Sequence, residues 1–229
     1  MINKRSYVIA VDGYASSGKS TLAKDLAQEL EISYVDTGAM YRAVTLYLLD
    51  KQIDLSDKPQ LINALKKIEL SFKFNIQNMA NDVFLNNINI EEDIRGLRVS
   101  SKVSEVSALK EVRDILLFQQ RNMIKNGPIV MDGRDIGTVI FPDAEAKIFV
   151  YANEIERAKR RYKELNKKNK DVRFEDVLDN IKHRDLIDTT RKIAPLKQAV
   201  DAFRIDNTDI DVKQQLKIAK EYVKKCIIN

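Results

Sequence analysis

The sequence predicts an α/β fold built on a parallel central sheet, and three observations support this prediction. Short apolar stretches of strand length recur along the 229 residues, at 8–11, 32–36, 129–132 and 147–151. Longer segments in which apolar residues have helical spacing lie between them. The hydrophobic content of 44% is enough for a buried core. We therefore expect one doubly wound domain with smaller lobes inserted into it.

A strand, a glycine-rich loop and a helix follow one another at the start of the chain. The run from Val8 to Val11 is apolar, as in strands that are buried in parallel sheets. The pattern Gly-x-x-x-x-Gly-Lys-Ser comes next, at 13–20. Helical spacing then appears at Leu22, Ala23, Leu26, Ala27 and Leu30. This order is the one that a phosphate-binding loop requires.

The chemistry of this loop suits a nucleoside triphosphate. Glycines let successive N–H groups turn inward around a phosphate chain, and the positive end of the following helix favours anions. Lys19 would reach the β- and γ-phosphates, and the Ser20 hydroxyl would bind Mg²⁺. An ordinary glycine-containing turn is the alternative, but the correct flanks on both sides favour the phosphate-binding loop. The predicted contacts to the triphosphate are Gly13, Tyr14, Ala15, Ser16, Ser17, Gly18, Lys19, Ser20 and Thr21.

The stretch after the second predicted strand allows two interpretations. Asp36 and Thr37 form a helix N-cap signal ahead of an apolar helical run at 43–49. Tyr41 and Arg42 follow the strand end closely, and in open α/β sheets ligands bind outside the carboxyl ends of the strands. An aromatic ring beside a guanidinium could contact a nucleoside monophosphate. On the residues alone, a cap and a binding site are both open.

The middle of the chain predicts a small β lobe followed by one helix. Residues 68–94 alternate apolar and polar positions around Asn-rich turns, which indicates an antiparallel sheet whose role is open. Residues 95–124 have a helical period, and the tripeptide Asn-Gly-Pro at 126–128 ends it. The apolar stripe of this helix consists of Val99, Val103, Val106, Leu109, Val112, Leu116 and Leu117. Ser104 and Arg113 lie off the stripe, where a solvated face explains them as well as a binding site does.

A second strand that ends in an acid comes at 129–132. Asp132 has the position of the carboxylate that helps to hold Mg²⁺ in phosphate-binding-loop enzymes, directly or through water. Arg134 and Asp135 project from the loop after this strand. A binding role is one interpretation of this pair, and a salt-bridged turn is the other.

Residues 154–191 are highly charged, and their arginines form two sets. The first set is Arg157, Arg160 and Arg161, and the second is Arg184 and Arg191 around Asp185 and Asp188. Such charge runs are usually solvated helix faces. However, Arg184 and Arg191 are two helical turns apart, with Asp188 between them. The polar residues 166–170 would then be the hinge of a lid that closes over a phosphate chain.

The end of the chain and its composition add few constraints. A last strand is predicted at 200–206 and a closing helix at 212–228, and the single histidine, His183, is interpreted as a surface residue. One cysteine, Cys226, excludes an internal disulfide and a zinc cluster. The net charge of +5 does not distinguish an anionic small substrate from nucleic acid. Without a long apolar segment or room for a signal peptide, we expect a cytoplasmic protein with no membrane span.

These features favour a small-molecule kinase over other proteins with phosphate-binding loops. The guanine-specifying pattern Asn-Lys-x-Asp is missing after the predicted strands, and the Asp-x-x-Gly match at 93–96 has no apolar strand before it. Motors and helicases normally need a longer chain. Two rivals stay open: a kinase of another small acceptor, such as a different nucleotide or shikimate, and a nucleic-acid-binding protein that uses the basic segment 157–191.

Four motifs resemble those of bacterial cytidylate kinases. They are Gly-Tyr-Ala-Ser-Ser-Gly-Lys-Ser-Thr at 13–21, Asp-Thr-Gly-Ala-Met-Tyr-Arg at 36–42, Met-Asp-Gly-Arg-Asp-Ile-Gly-Thr at 131–138 and Arg-Lys-Ile-Ala-Pro-Leu at 191–196. The similarity extends over essentially the whole chain, and it includes the β insert, which separates this family from the shorter adenylate and uridylate kinases. The visible departure is Tyr14, where the family usually has proline. Since this position offers backbone, the change should reduce loop rigidity more than activity.

The resemblance implies a P-loop NTPase-type three-layer sandwich with a parallel central sheet, a small antiparallel β insert and a helical lid. The implied domains are a core of 1–36, 109–156 and 192–229, a domain for the nucleoside monophosphate at 37–108 with the insert at about 68–94, and a lid at 157–191. ATP with Mg²⁺ would be the phosphoryl donor, and CMP or dCMP the acceptor. We further expect binding to neither nucleic acid nor membranes, and nothing in the sequence demands more than a monomer.

The resemblance also assigns roles to single residues. The implied catalytic residues are Lys19, Arg134, Arg184 and Arg191. The implied contacts to CMP are Thr37, Tyr41, Arg42, Ser104, Arg113, Arg134, Asp135, Arg184 and Asp188. Beyond the glycine loop, Arg157 and Arg161 would contact ATP from the lid. Ser20 would bind Mg²⁺ in its complex with ATP, and Asp132 would bind it directly or through water.

The chemistry of cytosine agrees with these roles. Asp135 can accept a hydrogen bond from the exocyclic amino group, while Arg113 and Ser104 donate to N3 and O2. Uracil would turn a carbonyl toward Asp135 and an N3–H toward donors, and such mismatches can reduce kcat/KM by roughly 10⁴-fold. The nucleophile would be a phosphate oxygen of CMP, which is anionic near neutral pH, so no general base is needed.

Overall fold

The computed structural model of the protein describes residues 6–75, 80–167 and 172–227. Three parts of the sequence predictions lie outside these ranges: residues 76–79 of the alternating segment 68–94, most of the hinge at 166–170, and the last residue of the closing helix, Ile228. The chain divides into two compact units. One is formed by Asp36–Asn122 and the other by the chain before and after it.

The secondary structure follows the predicted alternation of strands and helices. The strands are β1 (Val8–Gly13), β2 (Ser33–Asp36), β3 (Leu70–Asn75), β4 (Ala80–Leu85), β5 (Ile88–Asn89), β6 (Ile129–Gly133), β7 (Ala146–Tyr151) and β8 (Phe203–Asp206). The α-helices are α1 (Lys19–Glu29), α2 (Thr37–Asp50), α3 (Lys58–Leu65), α4 (Leu97–Ser100), α5 (Val103–Ser107), α6 (Lys110–Asn122), α7 (Glu154–Lys167), α8 (Phe174–Thr190) and α9 (Val212–Ile227).

The unit that contains both chain ends is built on a parallel sheet with the strand order β2-β6-β1-β7-β8. The central strand β1 pairs in parallel with β6 and β7, and β7 pairs in parallel with β8. Residues from the strands, α1 and α9 share one core, which includes Ile9, Val11, Leu22, Leu26, Ile148, Ala219 and Val223. Burial on both faces explains why these strands are continuously apolar in sequence. The predicted α/β fold with a parallel central sheet is confirmed.

The unit Asp36–Asn122 contains the small antiparallel sheet, with the strand order β3-β4-β5. Its inner residues Val83 and Leu85 share a core with Ala43 and Leu46 of α2 and with Ile94. The alternation of apolar and polar residues at 68–94 arises because one face of this sheet packs on that core. The predicted antiparallel insert is therefore confirmed as an element of the fold.

The prediction of one helix over 95–124 is wrong. A short 3₁₀ turn at Asp93–Arg95 is followed by α4, α5 and α6 as three separate helices. Serine hydroxyls explain part of the interruption, since Ser101 Oγ donates to Arg98 O at 3.0 Å and Ser107 Oγ donates to Ser104 O at 3.0 Å. Such local bonds give the backbone an alternative to a continuous helix.

The last elements agree with the prediction except that β8 begins at Phe203 rather than at residue 200. The closing helix α9 begins at Val212, as predicted, and places Gln215, Ala219 and Val223 inside at a spacing of four. Within the described residues, none of the helices has both the length and the apolar content that crossing a lipid bilayer requires.

Candidate functional site

The glycine loop fits tightly between its neighbours at both of its terminal glycines. A Cβ on Gly13 would lie 2.3 Å from the carbonyl oxygen of Val150, on the adjacent strand β7. Gly18 has a φ of +86°, and a Cβ there would lie 2.9 Å from Asn207 Nδ2. A side chain at either position would therefore collide with the loop's support, and at Gly18 it would also strain the backbone. The loop needs glycine for its shape, as the sequence predicts.

Lys19 and Ser20 begin α1 and lie next to Asp132. Ser20 Oγ donates to Asp132 Oδ2 at 2.8 Å, and Lys19 Nζ lies 3.9 Å from the same oxygen. The parallel register explains this meeting, because Asp132 lies opposite Val11, two residues before the glycine loop. The structure thus brings together the three side chains that the sequence assigned to the phosphates and Mg²⁺.

Tyr34 is a member of this cluster that sequence reasoning missed. Its hydroxyl donates to Asp132 Oδ1 at 2.8 Å, so both carboxylate oxygens of the buried Asp132 accept a hydrogen bond. Tyr34 lies in β2, which neighbours β6 in the sheet. The strand order makes it a neighbour of Asp132, and this order is not apparent from one sequence.

Asn207 supports the glycine loop from the end of the last strand, and sequence reasoning missed it too. Its Nδ2 donates to the carbonyl oxygen of Ser17 at 2.7 Å and to Gln215 Oε1 at 2.5 Å. Arg160 donates to Asn207 Oδ1 at 3.0 Å and to its carbonyl oxygen at 2.8 Å. A signal was available, because Asn207 directly follows the carboxyl end of a parallel strand, where ligand sites form.

Arg157 is buried and tied to the loop's backbone. It donates to the carbonyl oxygens of Ala152 at 2.9 Å and Ala15 at 3.2 Å, and it pairs with Asp185 at 2.6 Å. Its guanidinium also lies 5.0 Å from the centre of the Tyr14 ring, within the range of a cation–π contact. These contacts fix Arg157 beside the loop. Its predicted contact with ATP stays a prediction, as does that of Arg161, which pairs with Glu164 at 2.8 Å.

The Tyr14 side chain is packed rather than exposed to open solvent. Its ring meets Phe149 and Tyr151 edge to face, with centroid distances of 6.0 and 6.1 Å. Aromatic pairs of this geometry add favourable energy beyond the buried area. The sequence interpretation assigns position 14 a backbone role and misses these contacts, which constrain the loop by packing where a proline would constrain φ.

Arg134, Asp135, Asp188 and Arg191 form a buried ionic cluster. Arg134 Nε donates to Asp188 Oδ2 at 2.8 Å, and Arg191 Nη1 lies 3.9 Å from Asp188 Oδ1. Arg191 Nη2 lies 3.5 Å from Asp135 Oδ1. The loop after β6 is therefore salt-bridged, as one of the two interpretations expected. Arg134 follows β6 and Arg191 follows α8, so the cluster joins two separate elements and is more than a local turn.

The arginines of this cluster determine the charge state of Asp188. Burial by itself raises the pKa of Asp188, but Arg134, Arg184 and Arg191 outweigh burial, and the net pKa of Asp188 lies below its usual value. Asp188 is thus held as an anion among guanidiniums. The arginines that the resemblance assigns to phosphate contacts are positioned by this carboxylate.

In the unit Asp36–Asn122, the predicted N-cap of α2 is confirmed. Asp36 Oδ1 accepts a hydrogen bond from the Ala39 N–H at 2.8 Å, in the usual capping geometry. Asp36 Oδ2 accepts from Arg42 Nη2 at 2.9 Å and from Arg95 Nη1 at 3.1 Å. The cap and the arginines share one carboxylate, so the capping interpretation does not exclude a role for Arg42 in binding. That role stays a prediction, as does the one for the buried Thr37.

Ser104 and Arg113 are buried, so their interpretation as a solvated face is wrong. Their exposed fractions are 2% and 6%. The Arg113 guanidinium lies 5.5 Å from the centre of the Tyr41 ring, and its Nη1 donates to Ser107 O at 3.2 Å. Ser104 Oγ has no hydrogen-bond partner among the described residues. A buried hydroxyl in this state is uncommon, and a ligand acceptor would satisfy it.

Comparison with known proteins agrees with this geometry. The family model for cytidylate kinase matches residues 9–225. The chain belongs to the cytidylate kinase family. The resemblance inferred from four motifs is therefore confirmed over nearly the full length.

Three curated relatives show how close this membership is, and each is named cytidylate kinase. The protein of Bacteroides thetaiotaomicron is 46% identical over 226 residues, which cover 97% of this chain and 99% of the relative. That of Phocaeicola vulgatus is 49% identical over 216 residues, which cover 93% and 94% of the two chains. That of Flavobacterium johnsoniae is 49% identical over 222 residues, which cover 96% of each. The similarity to cytidylate kinases thus includes both compact units.

Proposed function

We propose that the protein transfers the γ-phosphoryl group of ATP to CMP, and also to dCMP, giving CDP or dCDP and ADP. The observation that carries this proposal is the placement of Lys19 and Ser20, at the end of a tightly fitted glycine loop, against the buried carboxylate of Asp132. This arrangement is a triphosphate site in a chain that belongs to the cytidylate kinase family.

The donor half of the reaction uses the glycine loop and Lys19. Backbone N–H groups of the loop and the N-terminus of α1 would bind the phosphates of ATP, and Lys19 would neutralise charge on the transferred group. The Ser20 hydroxyl and the Asp132 carboxylate are hard oxygen donors of the kind that Mg²⁺ prefers, so these residues fit the ion. Mg²⁺ would stabilise negative charge on the β- and γ-phosphates.

The acceptor half needs positioning rather than proton transfer. A phosphate oxygen of CMP forms the new bond to the γ-phosphorus, while the bond between that phosphorus and the β,γ-bridging oxygen breaks and ADP leaves with the electron pair. Arg42, Arg134 and Arg191 would hold the two phosphates at reacting distance and offset their repulsion. His183 is exposed, and the proposal gives it no role in this step. This agrees with a reaction that needs no general base.

Recognition of the base would use Asp135, Arg113 and Ser104. The buried Asp135 supplies an acceptor for the cytosine amino group. Arg113 and the unsatisfied hydroxyl of Ser104 supply donors for O2 and N3. Ribose contacts by Arg184 and Asp188 are also part of the proposal.

The proposed domain roles follow the same division. The compact unit Asp36–Asn122 supports a separate lobe for CMP beginning near residue 37, although this unit also contains α6, which the domain bounds implied by the resemblance place in the core. Residues 157–191 would be the lid, and the rest of the chain the core. Arg157 and Arg160 make internal hydrogen bonds, which disfavours the rival in which the segment binds nucleic acid.

A coupled assay of ADP release tests the proposal. The purified protein is supplied with ATP and Mg²⁺ and then with CMP, dCMP, UMP or AMP at several concentrations. We expect turnover with CMP and dCMP, and kcat/KM for UMP that is lower by roughly 10²-fold or more. Equal rates with UMP and CMP would favour the kinase of another acceptor, and release of ADP without any acceptor would indicate an ATPase.

A further inference from the structure

Asp12 is a buried carboxylate that the proposed reaction does not use. It is the second-last residue of β1, immediately before Gly13, and its exposed fraction is 5%. Its Oδ1 accepts a hydrogen bond from the N–H of Ile136, and its Oδ2 accepts one from the N–H of Gly137, both at 2.8 Å. One carboxylate thus accepts hydrogen bonds from two successive backbone N–H groups.

These donors belong to the turn that carries the acceptor-binding residues. Arg134 and Asp135 directly precede Ile136, and the N–H groups of Val139 and Ile140 in the following π-helix donate to the carbonyl oxygen of Asp135. Gly137 lies close to the carboxylate, since a Cβ there would be 3.5 Å from Asp12 Oδ2 and 3.1 Å from Lys147 Cδ. The turn is therefore held at its base by Asp12 and has little space in which to shift.

The position of Asp12 in the sheet connects this turn to the glycine loop. β1 and β6 pair in parallel, and Asp12 lies opposite Gly133, the last residue before Arg134. This pair is the last one in the register of the two strands. Asp12 extends the connection by two further hydrogen bonds, from the residue immediately before the glycine loop to the turn that holds Asp135.

A carboxylate is a costly group with which to make this connection. Burial raises the pKa of Asp12 to about 7, although its hydrogen bonds to Gly137 and Ile136 act to lower it. An apolar side chain would avoid the desolvation, but it could not accept the two N–H groups, which would then be buried without partners. The geometry gives the carboxylate a role that an apolar residue could not fill.

We propose that Asp12 is a positioning residue for acceptor recognition, which sets the turn at 134–137 at a fixed place relative to the glycine loop. The inference rests on the proposed function, because Arg134 and Asp135 are its acceptor contacts. Asp12 itself touches neither nucleotide. It acts through the backbone of Ile136 and Gly137, so its loss should affect the acceptor more than ATP. The glycine loop keeps its own supports in Asn207 and Arg157.

The first test is the substitution Asp12→Asn, which keeps the shape but turns an N–H₂ group toward one of the two backbone donors. We expect KM for CMP to rise by about tenfold and the ratio of kcat/KM for CMP to that for UMP to fall, while KM for ATP changes by less than about threefold. Asp82→Asn is the matched control, because Asp82 is another buried aspartate that accepts two N–H donors, from Asn75 and Asn89. It should leave all three parameters unchanged.

A loss of active protein with KM and the CMP-to-UMP ratio unchanged would show that Asp12 serves stability alone, and it would overturn the inference. Equal increases in KM for CMP and ATP would also overturn it, because they would indicate general damage to the site.

The second test does not depend on catalysis. In the wild-type protein, we expect the amide hydrogens of Ile136 and Gly137 to be protected from exchange, and Asp12→Asn should accelerate exchange at these two amides by at least about tenfold relative to β7. Fast exchange in the wild type would overturn the inference even if the variant failed to fold. If the wild type did not phosphorylate CMP but the amides behaved as expected, the proposed function would fail while the anchoring of the turn by Asp12 stood.

Discussion

The donor loop and the acceptor-binding residues are constructed in different ways. The proposed donor site is one continuous stretch, 13–21, whose chemistry lies mostly in its backbone. The unit with both chain ends holds this stretch through hydrogen bonds to its backbone carbonyl oxygens, from Asn207 to Ser17 and from Arg157 to Ala15. The candidate acceptor residues come from several separate segments, and ion pairs such as Arg134–Asp188 hold them in place.

This difference determines how each site responds to substitution. A backbone site depends on glycines and on one or two side chains, so most of its sequence could change without loss. A site of charged side chains depends on each partner, because removing one member leaves another charge buried without compensation. We therefore expect a substitution at the donor site either to abolish catalysis or to leave it nearly unchanged. Each substitution at the acceptor site should instead reduce selectivity or stability by an intermediate amount.

The largest effect is expected for Lys19→Ala. Lys19 is the cation at the loop that would neutralise the transferred phosphoryl group, so kcat should fall by about 10³-fold or more while the fold is retained. Rates are measured by ADP release, and folding by circular dichroism. Lys220→Ala is a suitable control, since Lys220 pairs with Glu29 near the end of α1, away from the loop. Wild-type turnover in Lys19→Ala would remove this residue from the mechanism.

A smaller effect, and one on selectivity, is expected for Asp135→Ala. The variant lacks the acceptor for the cytosine amino group, so the preference for CMP over UMP should fall by roughly 10²-fold, mainly through slower reaction with CMP. The comparison of kcat/KM for the two nucleotides provides the measurement, and KM for ATP is the internal reference. An unchanged ratio would exclude Asp135 from reading the base and weaken the contrast between the two sites.

The same contrast explains which parts of the site the sequence could predict. The order of strand, loop and helix at 8–30 is local, and the loop, α1 and the carboxylate of Asp132 all lie where the pattern indicated. Tyr34 and Asn207 were missed because their contacts depend on the order of strands in the sheet, β2-β6-β1-β7-β8. One sequence shows where strands occur but not which of them become neighbours.

The acceptor side was harder to predict, because periodicity was a poor guide to burial there. Ser104 and Arg113 fall off an apolar stripe that assumes one continuous helix, whereas α5 and α6 are separate helices and both residues are buried. Asp12 was overlooked for a related reason, since it reads as the polar end of an apolar strand. Only the backbone of 136–137, far along the chain, gives it a function.

The smallest effect concerns stability, and it separates two buried carboxylates, Asp188 and Asp12, by the sign of their pH dependence. Asp188, on the acceptor side, has a lowered pKa because arginines outweigh its burial, so its stabilisation is present above the unfolded-state pKa of about 3.9 and is lost as pH falls through the lower folded value. Asp12 has a pKa raised to about 7 by burial, so the stability linked to its protonation is present below about pH 4 and is lost as pH rises toward 7.

Denaturant unfolding of the wild type, Asp188→Asn and Asp12→Asn between pH 3.5 and about 7.5 measures both contributions. The deficit of Asp188→Asn should be about 1–3 kcal/mol at neutral pH, because its arginines lose a buried partner, and it should shrink below about pH 4. The free energy of unfolding of Asp12→Asn, taken relative to that of the wild type, should change in the opposite direction. It should increase as pH rises from about 4 to 7, because the wild type loses stability over this range and the variant does not. Parallel pH profiles for the two variants would contradict this contrast, since they would mean that the pKa values of both carboxylates are shifted in the same direction.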